Sequence, residues 1–372
     1  MARAESYDVA IAGAGPAAMI IGKGLAQSGL RVVLLGFDDR PAPQASHVHL
    51  FKDSLWPRLF ELVPDLEAQL QAEDAKTLPP AAIDRDIVPA SETSVSPGSR
   101  RILEEQLRRA TSCSAIVRRP ERFRNAKHVQ GIWKIEATGG THLSAAWLID
   151  ATGSARSTAR AVGDALGEPL PLDEADAEFS YTTWRFAGAL PQDPCSGQQF
   201  WSSEFRIGAV VAPDDDYWLL TLQSVEPLPD PPPETPADIL ETIDDMQLAQ
   251  ICEGAEAVER PSRWTTAPIT RMDLQPIASS DLPWFAIGDA LVTTPPILGW
   301  GFEQIVEQCS AVGDSVVSND LTAAFEPLME ASRVRFEQAI FAMVRRSGVL
   351  PQAPAKSPFP QLQGKIHVDS SA

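Results

Sequence analysis

The stretch Gly13-Ala14-Gly15-Pro16-Ala17-Ala18 constrains this chain most, because it stands between a strand pattern and a helix pattern. Asp8 to Ala12 is a short run of β-branched residues and alanine, a helical pattern follows the loop to about Ser28, and Arg31 to Leu35 reads as a second buried strand. That β-α-β unit is long enough for the crossover that parallel strands require. Gly13 permits the tight turn, Gly15 lets the backbone approach a pyrophosphate, and Ala18 allows close helix–strand packing. Pro16 and Ala17 lie at the helix N-terminus, whose free N–H groups face phosphate charge. The context is that of a dinucleotide site, without separating NAD from FAD.

One residue departs from the pattern. An acidic residue normally ends the second strand and holds the adenosine ribose, but Gly36 stands there. Either Asp38 or Asp39 reaches the ribose from slightly later in the loop, or both are solvated turn residues.

Composition narrows the partners. The 372 residues fit about two domains. A formal net charge of -19 argues against nucleic-acid backbones and anionic membranes, which need a basic surface. The four cysteines are far apart and form no CxxC or Cys/His cluster, so neither disulfides nor a zinc site is expected. With no signal segment and no membrane span in the pattern, a cytoplasmic location is expected.

Further along, residues 41–53 read as a proline-containing loop and 54–73 as one amphipathic helix. Residues 79–99 read as short strands and turns, Ser99 to Thr111 as a helix, with strands near Ala115, Gly131 and Ala146. Residues 175–223 carry short alternating strands rich in aromatics, which predicts an antiparallel sheet with one face toward a pocket or core. Proline-dense 226–236 is a loop before a helix from about Asp238. A strand at Trp284 to Ile287 and helices at about Gly301 to Val317 and Leu321 to Arg346 follow, and the proline-rich tail after Gly348 is expected to be mobile.

Four separated segments then carry a resemblance. Ile287-Gly288-Asp289-Ala290, with Pro295-Pro296 and Gly299-Trp300-Gly301, resembles the GD signature of flavoproteins with the p-hydroxybenzoate hydroxylase fold, a superfamily that includes tryptophan halogenases and geranylgeranyl reductases. Asp150-Ala151-Thr152-Gly153 resembles its second conserved segment, beside the glycine loop, and Arg100 with Leu103 and Leu107 its Arg-x-x-Leu-x-x-x-Leu helix. Pro43-Gln44-Ala45-Ser46-His47-Val48-His49 is similar to a Pro-Gln-x-x-His-x-His segment found in a subset of these monooxygenases. The resemblance implies an α/β fold: a Rossmann-like FAD-binding domain (1–78, 96–168 and 268–320) interleaved with a mostly antiparallel β-sheet substrate domain (79–95 and 169–267), then a C-terminal helix (321–348) and a tail (349–372).

The resemblance also implies the site. FAD would be held by Gly13, Gly15, Pro16, Ala17, Ala18, Asp38, Gln44, Arg100, Asp150, Ala151, Thr152, Gly153, Gly288, Asp289, Pro296, Gly299, Gly301 and Phe302. Asp289 would meet the ribityl chain, and the helix after Gly301 would face the flavin pyrimidine, where its dipole stabilises an anionic reduced flavin. His47, His49 and Trp300, where the family usually has Gln, would lie nearest the ring as candidate catalytic residues. The His pair hydrogen-bonds near the flavin or is plain loop structure; no acidic or Cys partner accompanies it, so no metal is expected.

The implied activity is an FAD-dependent monooxygenase that hydroxylates an aromatic or planar substrate through a flavin C4a-hydroperoxide. The substrate is a small molecule or a peptide side chain. Reductant is NAD(P)H docking transiently, or reduced flavin from a separate reductase, because no second dinucleotide loop is present. Aromatics between 179 and 218, with Trp264, would line the substrate side, while Arg185 and Arg206 pair with an anionic substrate or with acidic neighbours. Rival readings are a flavin-dependent halogenase, although the Trp-x-Trp-x-Ile-Pro segment is absent, a geranylgeranyl-reductase-like enzyme, and a non-catalytic flavin-binding maturation partner.

Overall fold

The computed structural model describes residues 5–37, 46–52, 54–72, 95–175, 180–188, 199–202, 207–214, 216–224, 252–265 and 268–347. Asp38, Gln44, Arg206, the expected helix near Asp238 and the expected tail lie outside these residues.

A seven-stranded sheet forms the core. Strands β1 (Glu5–Ala12), β2 (Val32–Leu35), β5 (Ile116–Arg119) and β8 (His142–Asp150) run parallel in the order β5-β2-β1-β8. Val9 to Ala12 and Val32 to Leu35 are buried on both faces, which is why these strands read as continuous apolar runs. Helix α1 (Pro16–Gln27) makes the crossover between the parallel neighbours β1 and β2.

The far edge of β8 is divided between two partners. β7 (Ile132–Ala137), the return arm of a hairpin with β6 (Phe123–Val129), pairs antiparallel with residues 142–145. β16 (Trp284–Ala286) pairs parallel with residues 148–150. Trp133 Nε1 donates to the Pro283 carbonyl at 2.9 Å and stitches the two arms together. Gly131, expected within a strand, is instead the hairpin turn beside Gln130, both at positive φ.

A second sheet is antiparallel, as the alternating aromatics predict: β11 (Gln199–Ser202), β12 (Ile207–Asp214), β13 (Tyr217–Ser224), β10 (Ser180–Ala187) and β14 (Ser262–Thr265), in that order. The connecting elements include β9 (Leu172–Ala175), paired with β15 (Ile269–Met272). Among helices, α2 (Leu55–Leu62) and α3 (Pro64–Ala72) replace the single helix expected over 54–73, because Pro64 cannot continue the ladder of the preceding helix. Helices α4 (Arg100–Ala110), α5 (Ala159–Leu166), α6 (Gly301–Ser318) and α7 (Thr322–Ser347) follow.

Part of the expected 41–53 loop is a strand. β3 (Val48–Lys52) pairs antiparallel with β4 (Val95–Ser99), in the register Val48↔Ser99. Val48 N donates to Thr221 Oγ1 at 3.0 Å, and Ser99 Oγ donates to Asp214 Oδ1 at 2.6 Å, so this ribbon is seated on the antiparallel sheet. Ser99 also caps α4, accepting from Ile102 N. The ribbon thus fixes both the His47–His49 segment and the start of the Arg100 helix.

Candidate functional site

A cleft of about 870 Å³ opens where the carboxyl ends of β1, β2 and β8 meet the N-termini of α1 and α6. Gly13 makes this convergence sterically feasible. Its φ is +120°, and a Cβ there would lie 2.2 Å from the Ala151 carbonyl oxygen, so only glycine permits the approach of the first loop to the second. Gly15 has an ordinary φ of -77°, and a Cβ there would meet no protein atom within 4 Å. The protein does not require glycine at position 15. The cleft in front of it does, if a ligand is to touch the backbone.

Ala151, Thr152 and Gly153 line the cleft opposite. Asp150 does not. Its Oδ1 accepts from Thr152 N and Oγ1 (2.9 and 2.6 Å) and its Oδ2 from Thr158 N and Oγ1 (2.9 and 2.7 Å). Fully buried and four times bonded, it holds the second loop in shape, so its contribution is made through Ala151 to Gly153. Ala18 is likewise buried beneath the first loop.

Gly288, Asp289, Pro296, Gly299, Gly301 and Phe302 line the third wall. Asp289 is exposed where it lines the cleft. Burial raises its pKa against the opposing pull of Arg100 and Arg156. Arg156, at φ +45°, binds the Asp289 and Ala290 carbonyls (3.2 and 3.1 Å), joining the second loop to this segment. Gly301 and Phe302 open α6, so its positive dipole end faces the cleft.

The two histidines differ in environment. His49 Nδ1 lies 3.0 Å from the His47 carbonyl, which can only accept, so this nitrogen carries the proton. His49 Nε2 is then free to accept from Arg100 NH1 at 3.3 Å. Burial and the Arg100 charge hold the His49 pKa well below the ordinary value. Burial, with Arg100 adding to it, lowers His47 to about 4. His47 Nδ1 is 2.7 Å from Thr183 Oγ1, which is 2.7 Å from Thr221 Oγ1. Both rings are neutral at pH 7. Among the described residues no group of three or more His, Cys, Asp or Glu is placed to hold a metal ion.

Beyond His47 the cleft acquires an aromatic wall. The His47, Tyr181 and Trp264 rings stand 5.6 to 6.3 Å apart in a mutual triangle, and all three line the cleft. Arg185 faces elsewhere: it stacks 3.9 Å over Tyr217 and pairs with Asp214.

Trp300 is not among the lining residues. It packs beside the Tyr181–Phe336 cluster, with Lys52 Nζ and the Arg335 guanidinium 5.8 and 5.4 Å from its ring. Conversely, the cleft includes Glu104, Arg108 and Arg122, which the sequence reading missed. Glu104 is fully buried between Arg100 (2.6 Å) and Arg108 (3.0 Å). The signal was present: Arg100, Glu104 and Arg108 recur at i, i+4 and i+8 on one helix face.

No family model and no curated protein matches this sequence. Solved structures do match in shape. A flavoprotein/dehydrogenase from Cytophaga hutchinsonii is similar at a TM-score of 0.64 and 16% identity, over 92% of this chain and 87% of the other. The flavin-dependent brominase Bmp2 gives 0.63 and 17%, over 91% and 86%. The anhydrotetracycline hydroxylase OxyS from Streptomyces rimosus gives 0.59 and 19%, over 92% and 68%. Across nearly its whole length, this chain therefore has the α/β fold shared by FAD-dependent monooxygenases and halogenases of the p-hydroxybenzoate hydroxylase type.

Proposed function

We propose that this chain is an FAD-dependent monooxygenase acting on an aromatic or planar substrate. One observation carries the reading: a single cleft joins three loops, from residues 13–17, 151–153 and 288–301, to the aromatic wall of His47, Tyr181 and Trp264. The loops fit a dinucleotide, since the space that a Gly15 Cβ would fill lies open before the N-terminus of α1.

The residues divide the work. The α1 N-terminus would hold the diphosphate, Asp289 would accept hydrogen bonds from the ribityl hydroxyls, and the α6 N-terminus would favour negative charge on the reduced ring. Flavin, when bound, supplies the electron transfer and oxygen chemistry. The protein's own share is to orient the substrate against the aromatic wall and to exclude water. Neutral His47 and His49 put no positive charge of their own beside the ring at pH 7.

The test is direct. Purified chain loaded with FAD is mixed with NADH or NADPH under air, and reductant consumption and peroxide are followed. Oxidation by either nucleotide supports a self-sufficient monooxygenase. Turnover only with reduced flavin from a separate reductase supports the two-component form. Absence of reduction and of oxygen reactivity sinks the enzyme reading and leaves a flavin-binding partner. The likeness to a brominase gives a second reading specific weight; bromide-dependent product formation would favour it.

A further inference from the structure

At the end of β2, where an acidic residue ordinarily stands, this chain has Gly36 with Arg122 beside it. Gly36 sits at φ +81°, where its N donates to the Glu121 carbonyl at 2.8 Å. That left-handed turn disfavours an acidic side chain at this position. A Cβ on Gly36 would lie 3.5 Å from Arg122 Cγ, in ordinary contact, so the arginine's stem runs directly beside this turn. The Arg122 backbone is fixed on both sides by Thr138, its N donating to Thr138 Oγ1 (2.9 Å) and its carbonyl accepting from Thr138 N (2.8 Å).

Arg122 stands at the cleft rim with Leu35 and Gly36, and among the described residues no carboxylate pairs with it. Further in lies Arg108, held by Glu104.

We infer that Arg122 reads the adenosine end of the bound dinucleotide in place of a carboxylate. A carboxylate accepts from ribose hydroxyls and repels a 2′-phosphate; a guanidinium only donates, to ribose oxygens, and welcomes a 2′-phosphate. The cleft thus accepts adenosine nucleotides phosphorylated on the ribose, which an acidic end of β2 excludes. The inference rests on the dinucleotide reading of this cleft.

The experiment measures equilibrium binding of FAD and FMN to the full chain, and displacement of FAD by ADP or by adenosine 2′,5′-bisphosphate. Arg122→Gln is expected to weaken FAD by about tenfold or more while leaving FMN, which lacks adenosine, unchanged. Arg122→Lys, which keeps the charge, is expected to recover part of the loss. In the wild type the bisphosphate is expected to compete at least as well as ADP, an advantage that Arg122→Gln removes. Equal losses for FAD and FMN, or no loss for either, overturn the inference, as does exclusion of the bisphosphate. Wild type that binds FMN but not FAD overturns it too, and wild type that binds neither overturns the dinucleotide reading with it.

Discussion

His49 is held between Arg100 and the backbone of His47: its Nδ1 faces a carbonyl at 3.0 Å, its Nε2 a guanidinium at 3.3 Å. A cation on one side and burial on the other both oppose protonation, and burial is the larger. Arg100→Gln removes the cation and leaves the burial. The His49 pKa is therefore expected to rise in that variant yet stay below 6.5, read from 15N-histidine NMR across a pH series. An unchanged pKa would show that Arg100 does not act on this ring.

His47 makes a prediction about stability. Its folded pKa is about 4 against an ordinary value of 6.5, so the unfolded chain binds the proton more readily. The sign follows from linkage: stability from this residue is full above about 6.5 and is lost as pH falls toward 4. Carboxylates titrate in the same range, so the informative quantity is a difference. His47→Asn can keep a hydrogen bond to Thr183 and carries no titration. Its urea midpoint is expected to fall less steeply than the wild type's between pH 6.5 and 4, and parallel curves would contradict the assignment.

Much of this molecule is legible in its sequence where a local rule and the tertiary structure agree. The β1–loop–α1 unit is such a case, since apolar strand, glycine turn and helix start are all local signals. The Val48–Lys52 strand was not legible, because its partner lies at Val95–Ser99 and its seating depends on Thr221, far away in the chain. Asp150 shows a subtler limit. Its position is visible in the sequence, but that both oxygens are consumed by Thr152 and Thr158 is a matter of side-chain geometry. Arg122 escaped for the same reason: nothing in its neighbours reveals that its stem lies beside Gly36.

Trp300 separates the structure's placement of a residue from the role implied by resemblance. Its indole packs between Lys52 and Arg335, both of which also bind Glu303 at 2.8 Å. Trp300→Gln is expected to cost about 1–3 kcal/mol of stability through lost packing and cation–π contacts. FAD affinity should change by less than about threefold, because the contacts removed lie outside the cleft lining. Thermal unfolding and flavin titration on the same samples check both halves. A large loss of affinity with stability intact would put the indole beside the flavin ring.

The two glycines of the first loop should fail in opposite ways when given a methyl group. Gly13→Ala places a Cβ 2.2 Å from a backbone oxygen, at a φ of +120° that alanine strongly disfavours. No flexible side chain can yield there, so the loop or β8 must shift, at an expected cost of about 4 kcal/mol or more. Gly15→Ala adds a methyl group that touches no protein atom within 4 Å, at an ordinary backbone angle. Its stability should stay within about 1 kcal/mol of wild type. Its methyl group instead occupies the approach to the α1 N-terminus, so FAD affinity is expected to fall by about tenfold or more. Urea unfolding without flavin, followed by flavin titration of the same variants, distinguishes the two. If Gly15→Ala binds FAD as tightly as wild type, the diphosphate does not lie against this loop.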